Sequence, residues 1–178
     1  MDVRSFRAAL IEATPNVGVL LNAGLGRDEA MGILSSFALH ERRVAEVHAL
    51  PDAALGDLFS LCDASRVEIG MVRFRNRPEV APKGWIIGQV EADGLMLETA
   101  SGEIVVKELG APDHTLWRCA KDGSSLLGAL ADAAAYLGAC IAVEPAGPVA
   151  HLAALKRCIA LAGGDAYAPF YRMLLAVE

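Results

Sequence analysis

Two hydrophobic periods divide the chain. From Val3 to Ala13 apolar residues recur at helical spacing, with Val3, Phe6, Leu10 and Ile11 on one face, which predicts a short helix. The stretch TPNVG breaks it. GRDEAMGILSSFAL then starts a second helix, with Asp28 and Glu29 in a first turn where the helix dipole favours acids and with Ala30, Ile33, Leu34 and Phe37 as its apolar stripe. HERRVAEVHA fits either a continuation of that helix or a short strand. A further helix follows in LPDAALGDLFSLC, opened by Pro51 and carrying Leu55, Leu58, Phe59 and Cys62 on one face.

After Arg66 the period falls to two. Val67 and Ile69, then Val72 and Phe74, alternate with charged residues, as a half-buried strand requires. PEVAPKG reads as a loop, WIIGQV as an apolar strand, and residues 95–109 as a hairpin. With Ser101-Gly102 as a two-residue turn, Leu97 opposes Val106 and Thr99 opposes Ile104. That register turns Leu95, Leu97, Thr99, Ile104 and Val106 toward a core. Met96, Glu98, Val105 and Lys107 then share the other face, with Glu98 and Lys107 as diagonal neighbours. TLWRCA is one more strand, with Asp113-His114 before it in a turn.

Asp122 or Ser124 caps an alanine-rich helix, which is expected to pack on the hairpin through Leu126, Leu127, Leu130 and Leu137. EPAGP is a break, VAHLAALKRCIALAGG a helix ended by Gly163-Gly164, and a last short helix begins near Pro169. Helices, then strands, then helices make an α+β fold in one domain, 1–178: N-terminal helices, a central antiparallel sheet, and C-terminal helices packed on it.

Composition narrows the classes. A chain of 178 residues that is 54% hydrophobic can bury a sizeable core and is not a disordered segment. A net charge of −6 disfavours a general nucleic-acid binder. The charge is uneven, because the segment Glu91–Asp113 sets six acids against Lys107 alone. Cys62, Cys119, Cys140 and Cys158 show no C-x-x-C spacing, so buried free thiols in a reducing cytoplasm are expected rather than a zinc site. The N-terminal residues lack the pattern of a secretory signal. Ser124–Val143 is long enough to span a bilayer, but Asp132 sits near its centre and basic flanks are missing, so a buried helix is expected and no membrane contact.

The motifs that suggest chemistry each fall short. Gly24 and Gly26 imitate a dinucleotide turn, but Glu29 stands where the third glycine belongs and would repel phosphate. HERRV lacks the second histidine of a zinc helix, since position 44 is Val44, and leaves His40 as a surface residue. DGSSLLG has Leu127 where a nucleophile elbow needs glycine. Asp113-His114 could serve a catalytic triad only with a nucleophile brought by the fold. No catalytic residue, cofactor or metal is therefore assigned. Arg73, Arg75 and Arg77 share one face of an extended strand and could grip acidic partner groups or pair with carboxylates of the chain.

Leu50-Pro51 with its helix, VRFRNRPEV, GWIIGQV, the hairpin LMLETASGEIVV and the helix SSLLGALADAAAYL follow one another in an order that resembles the SUKH superfamily, the SMI/KNR-like immunity-protein fold. The resemblance covers a core of 50–140, leaving 1–49 and 147–178 as helical extensions. The chain departs from the family pattern in Asp63-Ala64, where an Asn-Gly break is usual, and in its extra C-terminal helices. The resemblance implies a cytoplasmic, non-catalytic protein-binding module, monomeric or homodimeric, that neutralises a cognate toxin. A basic toxin domain would suit the acidic hairpin, and Glu91, Asp93, Glu98, Glu103 and Asp113 are the expected contact residues, with Arg73, Arg75 and Arg77 as the alternative patch. The competing expectations are a small hydrolase or transferase built on a histidine such as His114, and a structural subunit of an oligomer.

Overall fold

The computed structural model describes residues 1–45, 49–142 and 147–176. Three helices lead: α1 (Val3–Ala13), α2 (Val17–Asn22) and α3 (Arg27–Ser36). A two-residue strand, β1 (His40–Glu41), pairs antiparallel with β2 (Cys62–Asp63) across the helix α4 (Ala53–Leu61). The main sheet is a six-stranded antiparallel meander of β3 (Glu68–Ile69), β4 (Val72–Ala81), β5 (Gly84–Val90), β6 (Asp93–Glu98), β7 (Ile104–Glu108) and β8 (Ala111–Ala120), each strand beside its sequence neighbour. The helices α5 (Gly123–Ala142), α6 (Pro148–Ala162) and α7 (Ala168–Leu174) close the chain, with a 3-10 turn over Asp165–Tyr167 before the last. The fold is α+β, as the pattern predicts. One cluster of buried residues runs from Val3 to Leu175 and draws on 1–49, 50–140 and 147–176 alike.

Local chemistry explains the element ends. Asp2 accepts the Ser5 N–H at 2.7 Å and starts α1. The face of α1 is Val3, Phe6, Leu10 and Ala13, while Ile11, expected inside, is 64% exposed. The break at TPNVG lasts only from Thr14 to Asn16, because the Asn16 side chain accepts the Gly18 N–H at 2.8 Å and caps a new helix, α2, that periodicity misses. Glu29 bonds back to the Gly26 N–H at 2.8 Å and opens α3. HERRVAEVHA begins as the strand β1, and its residues 46–48 lie outside the described residues, as do 143–146, which include the start of EPAGP, and 177–178.

The sheet departs from expectation in length and register. PEVAPKG is not a loop: β4 runs to Ala81 and the turn is only Pro82-Lys83. Between Phe74 and Glu79 the strand bulges, since Phe74 pairs with Gly88 and Glu79 with Ile86. Arg75 and Arg77 stand in this bulge, so the three arginines do not form the regular row that an evenly extended strand would give. The strand β8 begins at Ala111, which places Asp113-His114 within the strand rather than in a turn, inside a bulge between the pairs Glu108–Ala111 and Lys107–Thr115.

The hairpin β6–β7 pairs Leu97 with Ile104 and Leu95 with Val106, not Leu97 with Val106. The loop is Thr99 to Gly102, closed by the Gly102 N–H on the Glu98 carbonyl at 2.9 Å, with Gly102 at φ 75 supplying the left-handed residue. The register moves by an even number of residues, so Leu95, Leu97, Ile104 and Val106 still enter the core. Only Thr99 changes, lying exposed in the loop.

The alanine-rich helix α5 takes its cap from Asp122, which accepts the Ser125 N–H at 2.7 Å. Its nearest helices are α6 and α1, with α4, β3, β8 and α2 beyond, and Leu126, Leu127 and Leu130 share one buried cluster with Leu95, Leu97, Ile104 and Val106 of the hairpin. Leu126, Leu127 and Leu130 are fully buried and Leu137 half-buried. A Cβ on Gly138 would stand 2.2 Å from the Ala13 carbonyl oxygen, so α1 approaches α5 backbone to backbone. Among the described residues, Gly123–Ile141 is the one helix long and apolar enough to cross a membrane.

Two substitutions test this packing. Gly138→Val should lower stability by about 1–3 kcal/mol, because α1 must move for the new side chain. Leu130→Asp should cost about 4 kcal/mol or more by placing a charge at a fully buried position. Urea denaturation of purified variants reads both, and wild-type midpoints would contradict the arrangement.

Candidate functional site

The hairpin neck is the most highly connected polar site. Glu98 and Glu103 close the end of β6 and the start of β7, and the Glu98 N–H bonds the Glu103 carbonyl at 2.9 Å. Facing carboxylates repel, and each is met by its own cation. Lys107 Nζ lies 2.7 Å from Glu98 Oε1 and donates to Thr115 Oγ1 at 2.6 Å. Lys107 sits opposite Gly94, so to reach Glu98 its side chain runs along the strands over the second face of the hairpin. That face is not bare: Met96, Val105 and Lys107 itself are buried. Arg118 grips Glu103 with both Nε, at 3.1 Å, and a terminal nitrogen. Tyr167 donates its hydroxyl to the same carboxylate at 2.8 Å, and Arg118 lies over the Tyr167 ring, 5.4 Å from its centroid.

These partners set the titration. The hydrogen bond from Lys107 holds the Glu98 carboxyl below the usual range, and that from Arg118 does the same for Glu103. General acids need the opposite shift. The oxygens are also occupied, since Ser101 Oγ donates to Glu98 Oε2 at 3.0 Å. The neck is built as a strut between the sheet and the C-terminal segment.

The remaining acids do not converge on it. Asp93, at the far end of the hairpin, accepts the Leu109 N–H at 2.8 Å. Asp113, in the β8 bulge, pairs with Lys83 of the β4–β5 turn, whose hydrogen bond lowers its pKa. Glu91 occupies the β5–β6 turn at φ 54 and its side chain has no partner among the described residues. The arginines pair elsewhere: Arg73 with Glu68 across the β3–β4 turn at 2.8 Å, and Arg75 with Glu79 along its own strand. The expected acidic surface is therefore spread over both hairpin ends, and most of it is neutralised by cations other than Arg73, Arg75 and Arg77.

The described histidines and the cysteines are dispersed. His114 Nδ1 lies 2.8 Å from Glu108 on the exposed side of the β8 bulge. His151 stacks on Tyr136 at 5.1 Å and its Nε2 lies 2.8 Å from the Leu175 carbonyl. His40 is exposed. Cys62, Cys119 and Cys158 are buried, and burial raises all three thiols, Cys158 to about 12. Among the described residues no group of metal-ligating side chains comes together.

Sequence reasoning passed over a different surface. Around α1, α2 and α3, Ile11, Val17, Leu21 and Met31 are exposed. A groove of about 620 Å³ runs beside α3, lined by Ile11, Val17, Leu34, Phe37 and Leu39 with Arg7 at its rim. On the other side of α3 a groove of about 480 Å³ is lined by Ile33, Phe37, Ile69, Leu137 and Ile141. The signal available in the sequence was an apolar stripe broad enough for two faces on a helix with one neighbour, but which face stays open depends on the packing of α2.

The ion pairs generate two predictions. Because both folded pKa values are depressed, the stabilisation from Glu98 and Glu103 is present above the ordinary glutamate value near 4.3 and is lost as pH falls through the lower folded values. Glu98→Gln and Glu103→Gln should each lower the melting temperature at pH 7 and flatten the acid limb below about pH 5. A parallel acid limb in melts from pH 3 to pH 7 would contradict the ion-pair assignment. The double charge reversal of Glu98 and Glu103 to lysine should lower the melting temperature further, since each new ammonium would face the old cation.

Compared with known proteins, the chain matches no family model, no curated protein and no solved structure.

Proposed function

We propose that this protein is a non-catalytic protein-binding module acting in the cytoplasm, of the SUKH-like immunity type, that holds a toxin domain by direct contact. The observation that carries the reading is the apolar surface around α1, α2 and α3, where Ile11 is 64%, Met31 53%, Leu21 44% and Val17 41% exposed beside two open grooves. Contiguous exposed apolar surface is the usual mark of a protein-binding site. The elements that carry the family resemblance, α4, the strands β4 to β7 and α5, follow one another in the chain in the order the family pattern requires, which supports the same reading. A net charge of −6 suits a basic partner through long-range attraction rather than through the paired hairpin acids.

The partner to test is the protein encoded immediately upstream. Co-expression should relieve its toxicity, and size-exclusion chromatography should give a stable complex. Ile11→Glu with Val17→Glu should weaken that complex by about 10-fold or more while leaving the melting temperature nearly unchanged, because both side chains are already exposed. No protection and no complex would overturn the reading.

A further inference from the structure

Among the described helices, α2 and α3 are the most lightly seated. The helix α2 buries only Leu20 and α3 only Ala30, with Phe37 buried just after the end of α3. By contrast α5 buries Leu126, Leu127, Ala129, Leu130, Ala131, Ala133 and Ala134. The two grooves lie on either side of α3 and both are lined by Phe37, so one aromatic ring separates them. Beyond that ring, Ile33 faces the groove floored by Ile69, Leu137 and Ile141, and Leu34 faces the groove walled by Ile11, Val17 and Leu39. Both ends of the segment are short connections, Thr14–Asn16 and Ala38–Leu39, and Gly24 at φ 90 makes the turn between the helices.

We propose that residues 17–37 form a flap that lifts from α5 as one unit, pivoting on Thr14–Asn16 and Ala38–Leu39, and that Phe37, at the end of α3, is the catch that holds it down. A segment with few buried apolar contacts opens at lower cost than the core it rests on. Lifting merges the two grooves into one apolar cleft with Ile69, Ala134, Leu137 and Ile141 as its floor. Seating leaves that floor reachable only along the one groove, and the lifted form presents the whole of it. The inference concerns the free protein and does not depend on the binding reading above.

Hydrogen exchange of the full chain, with no partner added, tests it. Helices of 6 and 10 residues do not hold without support, so once lifted they lose their hydrogen bonds, and amides of α2 and α3 should exchange together, at least about 100-fold faster than those of 126–137. Phe37→Ala should speed exchange across 17–36 by about 10-fold and leave 126–137 unchanged. Gly32→Ala should slow it by about 3-fold without altering the global melting temperature, because a Cβ there meets nothing within 4 Å and alanine favours the helix. Protection of 17–36 equal to that of α5, or a Phe37→Ala effect spread evenly over both helices, would overturn the flap. Because no partner is present, either result leaves the test of toxin binding open to its own outcome.

Discussion

The Ala13 carbonyl oxygen lies 2.2 Å from where a Cβ would stand on Gly138, and this contact sets the spacing of the helical layer. Helices normally pack with axes 8–10 Å apart, the lower end requiring small side chains at the crossing. The alanines of α5 meet that demand along its length, with Ala129, Ala133 and Ala134 fully or almost fully buried. The high hydrophobic fraction of the chain is thus partly a consequence of close approach. A thin central helix lets α1 and α6 come near on either side while Leu126, Leu127 and Leu130 fill the space toward the rest of the core.

Asp52 ties α4 to that layer. Its Oδ1 accepts the Leu55 N–H at 2.9 Å and its Oδ2 accepts the Gly123 N–H at 2.9 Å, so one carboxylate serves the first turns of α4 and α5. Gly123 is required for this, because a Cβ there would fall 2.3 Å from Oδ1. Both helix starts carry partial positive charge, which favours an anion between them. The last strand therefore hands over to α5 at a fixed point, and everything C-terminal to it inherits that position.

Three of the five acids expected to meet a partner, Glu98, Glu103 and Asp113, also pair within the chain. Glu103 reaches Arg118 on β8 and Tyr167 beyond α6, linking hairpin, edge strand and C-terminal turn. Lys107 covers the second hairpin face on its way to Glu98. Half-buried carboxylates held in this way contribute through hydrogen bonds and covered area more than an exposed pair would. The apolar rim of α1 to α3 is made of other residues than the acidic segment, and among the described helices α2 and α3 bury the fewest residues.

Much of this was legible from local pattern. The bounds of α1, the acidic first turn of α3, the face of α4, the Gly163-Gly164 stop and the inward set Leu95, Leu97, Ile104 and Val106 follow from periodicity and turn chemistry, which act over a few residues. The inward set survived even a wrong hairpin register, because a shift by two residues preserves faces. The Glu98–Lys107 pair was legible as well, whereas tertiary structure alone decided the long-range partners of the acids, since Glu103–Tyr167 and Asp52–Gly123 join residues 64 and 71 positions apart. It also decided that Ile11 stays outside while Ala13 goes in, because α1 meets α5 along the side where the Ala13 carbonyl approaches Gly138. Periodicity reports that a face is apolar; what covers it is set by the helix that arrives from elsewhere in the chain.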